Sequence, residues 1–179
     1  MELRKLSRSS DDIPLLEKLN NEAFPDNERV PIPVMFSFSE KNDMDILGIY
    51  VNGEFSGFFI IRKLEKCAYI AYFAVCPEKR SKGIGGCALK MLSKYYSGCQ
   101  IVVDFEAPDE NSGNNAQRLR RRAFYYRNGF FPTGYYQYYM DTEFEIACSD
   151  RVFDKSAFEA MIADIHEKAP EFDPHLYPK

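Results

Sequence analysis

Residue type and spacing say most about chemistry in the stretch Val75-Cys76-Pro77-Glu78-Lys79-Arg80-Ser81-Lys82-Gly83-Ile84-Gly85-Gly86. An apolar strand ends there, a basic loop follows, and glycines open a long helical pattern. The first N–H groups of a helix have no intrahelical acceptor and sit at the positive end of its dipole, so they suit phosphate oxygens. Glycine at 83, 85 and 86 removes side chains that would hold a bulky anion off the backbone. Arg80 and Lys82 add positive charge. The bland alternative is a glycine-loosened helix start with solvated cations. The GxxxxGK[ST] pattern is absent, which excludes a P-loop nucleotidase. A dinucleotide turn is a closer rival, because Gly83, Gly85 and Ala88 satisfy G-x-G-x-x-A and Asp104 ends the next strand about 20 residues on. Against it, such a turn puts its first glycine directly after the strand, whereas seven residues separate Val75 from Gly83 here.

Two carboxylates follow at the end of the next strand. Asp104 and Glu106 are two residues apart and face the same side if the strand runs that far. They read either as a solvated strand end or as cleft groups able to accept a proton or hold a substrate. A dense basic run, Arg118, Arg120, Arg121, Arg122 and Arg127, then surrounds Tyr125. Such a run is usually a solvated helix face; the sharper alternative is binding of phosphates or an acidic substrate group. His166 and His175 have no partner pattern, and no cluster has metal-ligand spacing, so no metal is expected. Cys76 and Cys87 flank the glycine turn but lack a nearby base and read as packing.

The elements that must position these groups follow from periodicity and punctuation. Glu2–Leu6 reads as a short strand. Asp11 and Asp12 are placed to cap a helix with Ile13, Leu16, Leu19 and Ala23 on one face. The three prolines of Pro25–Pro33 predict an irregular loop followed by a short helical turn. Asp45–Val51, an Asn52-Gly53 turn, Phe55–Arg62 and Cys67–Val75 make an antiparallel meander. The helix after Gly83 should bury Ile84, Ala88, Met91, Leu92 and Tyr95, and Gly98 should stop it. Gln100–Phe105 is the next strand, parallel to a neighbour because a helix crosses over to reach it. Ala116–Arg127 reads as a helix with Leu119, Ala123 and Tyr126 inward and Asn128-Gly129 as its stop. Tyr135–Met140 and Phe144–Cys148 are late strands, and Ser156–Lys168 is an amphipathic helix. The order predicts an α+β fold, a three-layer sandwich with a mixed central sheet.

Composition narrows the class. The chain has 179 residues, 45% hydrophobic and 28% charged, enough for one well-packed domain. A net charge of -4 argues against nucleic acid as a main partner. No apolar run approaches the roughly 20 residues that span a bilayer. The N-terminus has no apolar stretch of a signal peptide, so the mature protein is expected to start near Met1. Five scattered cysteines without a CxxC pair fit reduced thiols in the cytoplasm. Residues 141–179 carry ten acidic residues against four basic ones. That tail could steer a cationic amine, act as a lid, form a homodimer contact, or simply solubilise.

Val-x-Pro-x-x-Arg-x-x-Gly-x-Gly at 75–85 resembles the acetyl-CoA signature of GNAT-type N-acetyltransferases, with Arg80, Gly83 and Gly85 at its defined positions. Phe124-Tyr125-Tyr126-Arg127-Asn128-Gly129-Phe130 is similar to the family's Leu-Tyr-x-x-x-Gly-Phe close of its next helix. The resemblance covers about residues 1–140, a GNAT domain, with 141–179 as a strand-and-helix extension packed on it. It implies that the N–H groups from Ser81 through Lys82, Gly83, Ile84 and Gly85 to Gly86 bind the pyrophosphate of coenzyme A. The strand edge at Phe73, Ala74 and Val75 would pair with the pantetheine arm like an added strand, and that strand would splay from the next to admit the acetyl group. The implied reaction is direct transfer of acetyl from acetyl-CoA to a primary amine of a small molecule, less readily a peptide. Tyr125 stands at the family's tyrosine, a phenol to protonate the departing thiolate. Arg118, Arg121 and Arg122 precede it by seven, four and three residues, on the same helical face, and should lower its pKa toward that of a thiol. The family often has asparagine where this chain has Arg118; Asn114 or Asn115 could supply that contact. Glu106 is the candidate base, with water relay or an amine arriving neutral as alternatives. Asp104, and Glu28 in the proline-rich loop, are candidate substrate contacts. A non-catalytic acyl-CoA-binding module of the same fold, or a Rossmann-type NAD(P) oxidoreductase, stays open.

Overall fold

The computed structural model describes every residue except Asn27, Glu28, Asn42, Asp43, Met140 and Glu171. Its contacts divide the chain into two units, Met1–Lys63 with Ile70–Ser97, and Leu64–Tyr69 with Gly98–Lys179.

The first unit holds β1 (Glu2–Lys5), α1 (Ile13–Ala23), α2 (Ile32–Glu40), β2 (Met44–Val51), β3 (Glu54–Leu64), most of β4 (Cys67–Val75) and α3 (Ile84–Tyr95). β1 and β3 flank β2, antiparallel to it. Asn52 and Gly53 both have positive φ, as the tight turn between β2 and β3 requires. Leu16, Leu19, Ile32, Met35, Phe36, Ile46, Phe58 and Ile60 form the core that α1 and α2 cover. Asp12 precedes α1 but does not cap it; its carboxylate accepts the Tyr50 hydroxyl at 2.5 Å. The nine-residue α2 replaces the expected short turn. Its prolines sit at the start, where the N–H they lack would have no helical acceptor, so they initiate the helix rather than break it. In α3, Ile84, Ala88, Leu89 and Leu92 are buried. Tyr96 then points inward, its hydroxyl donating to Asp45 at 2.6 Å, while Tyr95 is left 47% exposed, opposite to expectation.

The second unit contains β5 (Gln100–Glu106), α4 (Asn115–Arg127), β6 (Phe131–Tyr139), β7 (Thr142–Cys148), α5 (Lys155–Lys168) and β8 (His175–Pro178). β7 is antiparallel to both β5 and β6, and β8 adds to the far edge of β6. The residues after 140 therefore place a strand inside the sheet. Asp154 caps α5 through Ala157 N–H at 3.0 Å, and buried Gln100 bonds the Asp154 backbone in both directions. β8, unforeseen in the sequence, is tied by Tyr177 and Lys179, whose side chains donate to Glu143 at 2.5 and 2.6 Å. Burial pushes the Glu143 carboxyl up, but those two bonds outweigh it and leave the pKa below its ordinary value. Strands and helices in this order make the α+β fold that the sequence pattern predicts. The five cysteines are free, and among the described residues no helix is long and apolar enough to cross a membrane.

Candidate functional site

In the first unit the chain leaves β4 at Val75 and makes a short 3-10 turn over Pro77–Lys79. Three side chains brace that turn. Arg80 Nε donates to the Val75 carbonyl at 2.9 Å, and Lys82 Nζ to the Glu78 carbonyl at 3.0 Å. Lys79, to which the sequence assigned no role, reaches back to β3, donating to the Phe55 carbonyl at 2.9 Å and to Ser56 Oγ at 3.1 Å. Ser81 and Gly83 then take left-handed φ of 61° and 78°, which turns the backbone into α3. A Cβ on Gly83 would meet nothing within 4 Å, so its glycine serves the backbone angle and leaves the approach open. The first helical bond runs from Cys87 N–H to the Gly83 carbonyl at 3.1 Å. Among the described residues, the N–H groups from Ser81 to Gly86 have no protein acceptor. Ser81, Lys82 and Gly83 are exposed, Gly85 and Gly86 half-buried and Ile84 buried, so the first part of this run of donors is open to solvent. Upstream, Ala74 is buried and Phe73 stacks on Phe59 with ring centroids 4.2 Å apart.

In the second unit Arg118, Arg121 and Arg122 of the arginine run turn toward the sheet, while Arg120 and Arg127 are exposed. Arg118 and Arg121 pair with Glu106 at 2.8 and 3.2 Å, and Asn114 Nδ2 donates to the same carboxylate at 3.1 Å. Arg118 Nε also donates to Asn114 Oδ1 at 2.7 Å, so Asn114 and Arg118 act as one clamp on the end of β5. Arg122 pairs with Glu145 of β7 at 3.0 Å, and the Tyr126 hydroxyl donates to that carboxylate as well. The inward face expected for α4 is overturned for two of its three residues: Leu119 is 47% exposed and Ala123 is exposed, while Tyr126 is half-buried. Charges can occupy the inner face because the sheet supplies two carboxylates to neutralise them.

Tyr125 lies on that inner face, 7% exposed, its ring 5.3 Å from Phe105 in a parallel stack and 5.5 Å from Phe130 edge-on. Its hydroxyl makes no hydrogen bond among the described residues. Burial drives the phenol well above its ordinary pKa and outweighs the opposing field of Arg121. The expected lowering by the arginine face is therefore corrected: those cations are spent on Glu106 and Glu145.

Glu106 is engaged by two guanidinium groups and an amide, which suits an anchor joining α4 to β5 better than a free base. Replacing it with glutamine should cost about 2 kcal/mol in urea denaturation, since two partly buried arginines lose their counter-charge. A base without structural duty would lose turnover and keep its stability. Asp104 accepts the Tyr69 hydroxyl at 2.7 Å and Gln137 Nε2 at 2.5 Å; burial raises its pKa despite both bonds. Gln137 gave no signal in the sequence, being a lone amide in a tyrosine-rich strand. Glu28 lies outside the described residues.

The family model for the acetyltransferase (GNAT) family matches residues 13–130. The chain belongs to the GNAT acetyltransferase family. Solved structures agree on the fold. A GNAT-family protein from Bacteroides thetaiotaomicron is similar over 96% of this chain and 99% of its own, with a TM-score of 0.78 and 21% identity. The ribosomal-protein-S18-alanine N-acetyltransferase of Escherichia coli is similar over 85% and 94%, TM-score 0.62, 17% identity. A GNAT acetyltransferase from Elizabethkingia anophelis with acetyl-CoA bound is similar over 83% and 97%, TM-score 0.56, 14% identity. No curated protein matches the sequence. Family membership makes the oxidoreductase alternative unnecessary.

Proposed function

We propose that this GNAT protein transfers the acetyl group of acetyl-CoA to a primary amine of a small molecule, by direct attack in a ternary complex in the cytoplasm. The observation that carries the reading is the run of N–H groups from Ser81 to Gly86 that have no acceptor among the described residues, its first three residues exposed. A pyrophosphate supplies the acceptors this fan lacks, and the helix dipole favours its charge. Arg80 and Lys82 flank it, and the edge of β4 at Phe73, Ala74 and Val75 is the segment to pair with the pantetheine arm. The acetyl-CoA in the Elizabethkingia anophelis relative is consistent with this assignment. The thioester supplies an activated acyl group. Tyr125 holds a proton for the departing thiolate, and the amine loses its own to water or arrives neutral, because Glu106 is tied to α4. The second reading, a non-catalytic acyl-CoA binder, is favoured by the same engagement of Glu106.

Thermal denaturation tests the cofactor site first. Acetyl-CoA at a hundred times its Kd should stabilise the protein by about 2.7 kcal/mol, and nicotinamide cofactors should do nothing. An unshifted melting curve in acetyl-CoA would remove the proposal. Turnover is then read as free thiol released with a panel of small amines, alongside a peptide with a free N-terminal alanine. A peptide turned over in preference to every small amine would overturn the small-molecule assignment, and absence of thiol release with every acceptor tried would leave only the binder.

A further inference from the structure

The cluster around Asp104 is built for a cation that none of the described residues provides in direct contact. Asp104 Oδ1 accepts from Tyr69 and Oδ2 from Gln137, both neutral donors. The guanidinium whose field it feels, that of Arg121, is committed to Glu106 at 3.2 Å. Gln137 is 1% exposed, and its Oε1 has no hydrogen-bond partner among the described residues. Because Nε2 is fixed on Asp104, Oε1 of the same amide must lie beside that carboxylate; turning the amide over would set two acceptors against each other. The result is a wall of acceptors: a carboxylate with neutral company and a buried carbonyl with none. Asp104 itself retains partial exposure, so a cation can approach its carboxylate, whereas Gln137 Oε1 is enclosed and meets that cation only if the amide shifts.

Such a wall wants a multiple N–H donor carrying positive charge, and an ammonium group meets both needs. It does not suit the attacking nitrogen, because a carboxylate in contact stabilises the protonated amine and removes its nucleophilic lone pair. Resting on the transferase reading above, we infer that Asp104 and Gln137, with Tyr69 orienting the carboxylate, hold a second, non-reacting ammonium group of the acceptor. The acceptor class is then a diamine or another small molecule with two cationic nitrogens.

Direct binding tests this apart from turnover. The full-length protein is titrated with 1,4-diaminobutane and with butylamine, following the melting temperature, and coenzyme A is titrated separately as a check on folding. The diamine should stabilise the wild type at lower concentration than the monoamine. Asp104→Asn should weaken diamine binding about 30-fold, as expected when one member of a buried charge pair is lost. Gln137→Met, which keeps all charges, should weaken it several-fold, with both variants still responding to coenzyme A. Equal binding of the two amines by the wild type, or an undiminished diamine preference in Asp104→Asn, overturns the inference. Free thiol is measured in parallel. Diamine binding that depends on Asp104 without thiol release keeps this site and discards the transferase. Thiol release with butylamine as readily as with the diamine keeps the transferase and discards the site.

Discussion

Alanine at Gly57 is expected to cost about 3 kcal/mol of stability and to weaken coenzyme A binding with it. A Cβ built on Gly57 would sit 2.4 Å from the Ala74 carbonyl oxygen and 3.1 Å from the Val75 Cα. Both are backbone atoms, so no rotamer change relieves the contact; β4 must move away from β3. The segment displaced is the one proposed to pair with the pantetheine arm. It also carries the Val75 carbonyl that Arg80 holds, and Cys76 N–H bonds the Ser56 carbonyl next to Gly57 at 3.0 Å. One methyl group thus perturbs the entrance to the glycine turn from behind. Gly113→Ala is the matched control, because its Cβ meets nothing within 4 Å and should change stability by less than about 0.5 kcal/mol. Urea denaturation gives the two costs, and coenzyme A titration of the melting temperature gives the affinity. A Gly57 variant as stable as the control would show that β4 yields freely there.

The sequence showed the parts of the molecule whose signals are local. The meander, the Asn52-Gly53 turn and the glycine-opened helix each carry their cause within a few residues, and β4 runs over Cys67–Val75 as the pattern predicts. Helix α4 was legible as a helix but not in its orientation. Its inner face is set by Glu106 and Glu145, which lie on β5 and β7, and local periodicity cannot report charges supplied by another element. The same remote carboxylates explain why arginines beside Tyr125 fail to lower its pKa. β8 is four residues whose strand character comes from pairing with β6 and from Glu143. Gln137 becomes notable only when folding sets it against Asp104.

Tyr125→Phe bears most directly on whether this GNAT chain is a catalyst. With 1,4-diaminobutane or any acceptor that turns over, kcat should fall about 100-fold, the low end of what a positioned general acid contributes. The raised phenol pKa does not count against the role. It keeps the proton on Tyr125 through the neutral range, and removal from water also raises the pKa of a departing thiolate, so the acid and the group it must protonate rise together. Stability should stay level or improve slightly at neutral pH, because the lost hydroxyl has no hydrogen-bond partner among the described residues and its removal strands none. In alkali the sign follows from linkage. A phenol whose folded pKa exceeds its unfolded value contributes stability that is complete below about pH 10 and is lost as the pH climbs above that. The wild type should therefore lose stability more steeply than Tyr125→Phe above pH 10. Stopped thiol release with an intact melting temperature identifies Tyr125 as the proton donor. Unchanged kcat in a variant that has lost the alkaline sensitivity would place the phenol in the core and give the proton transfer to water.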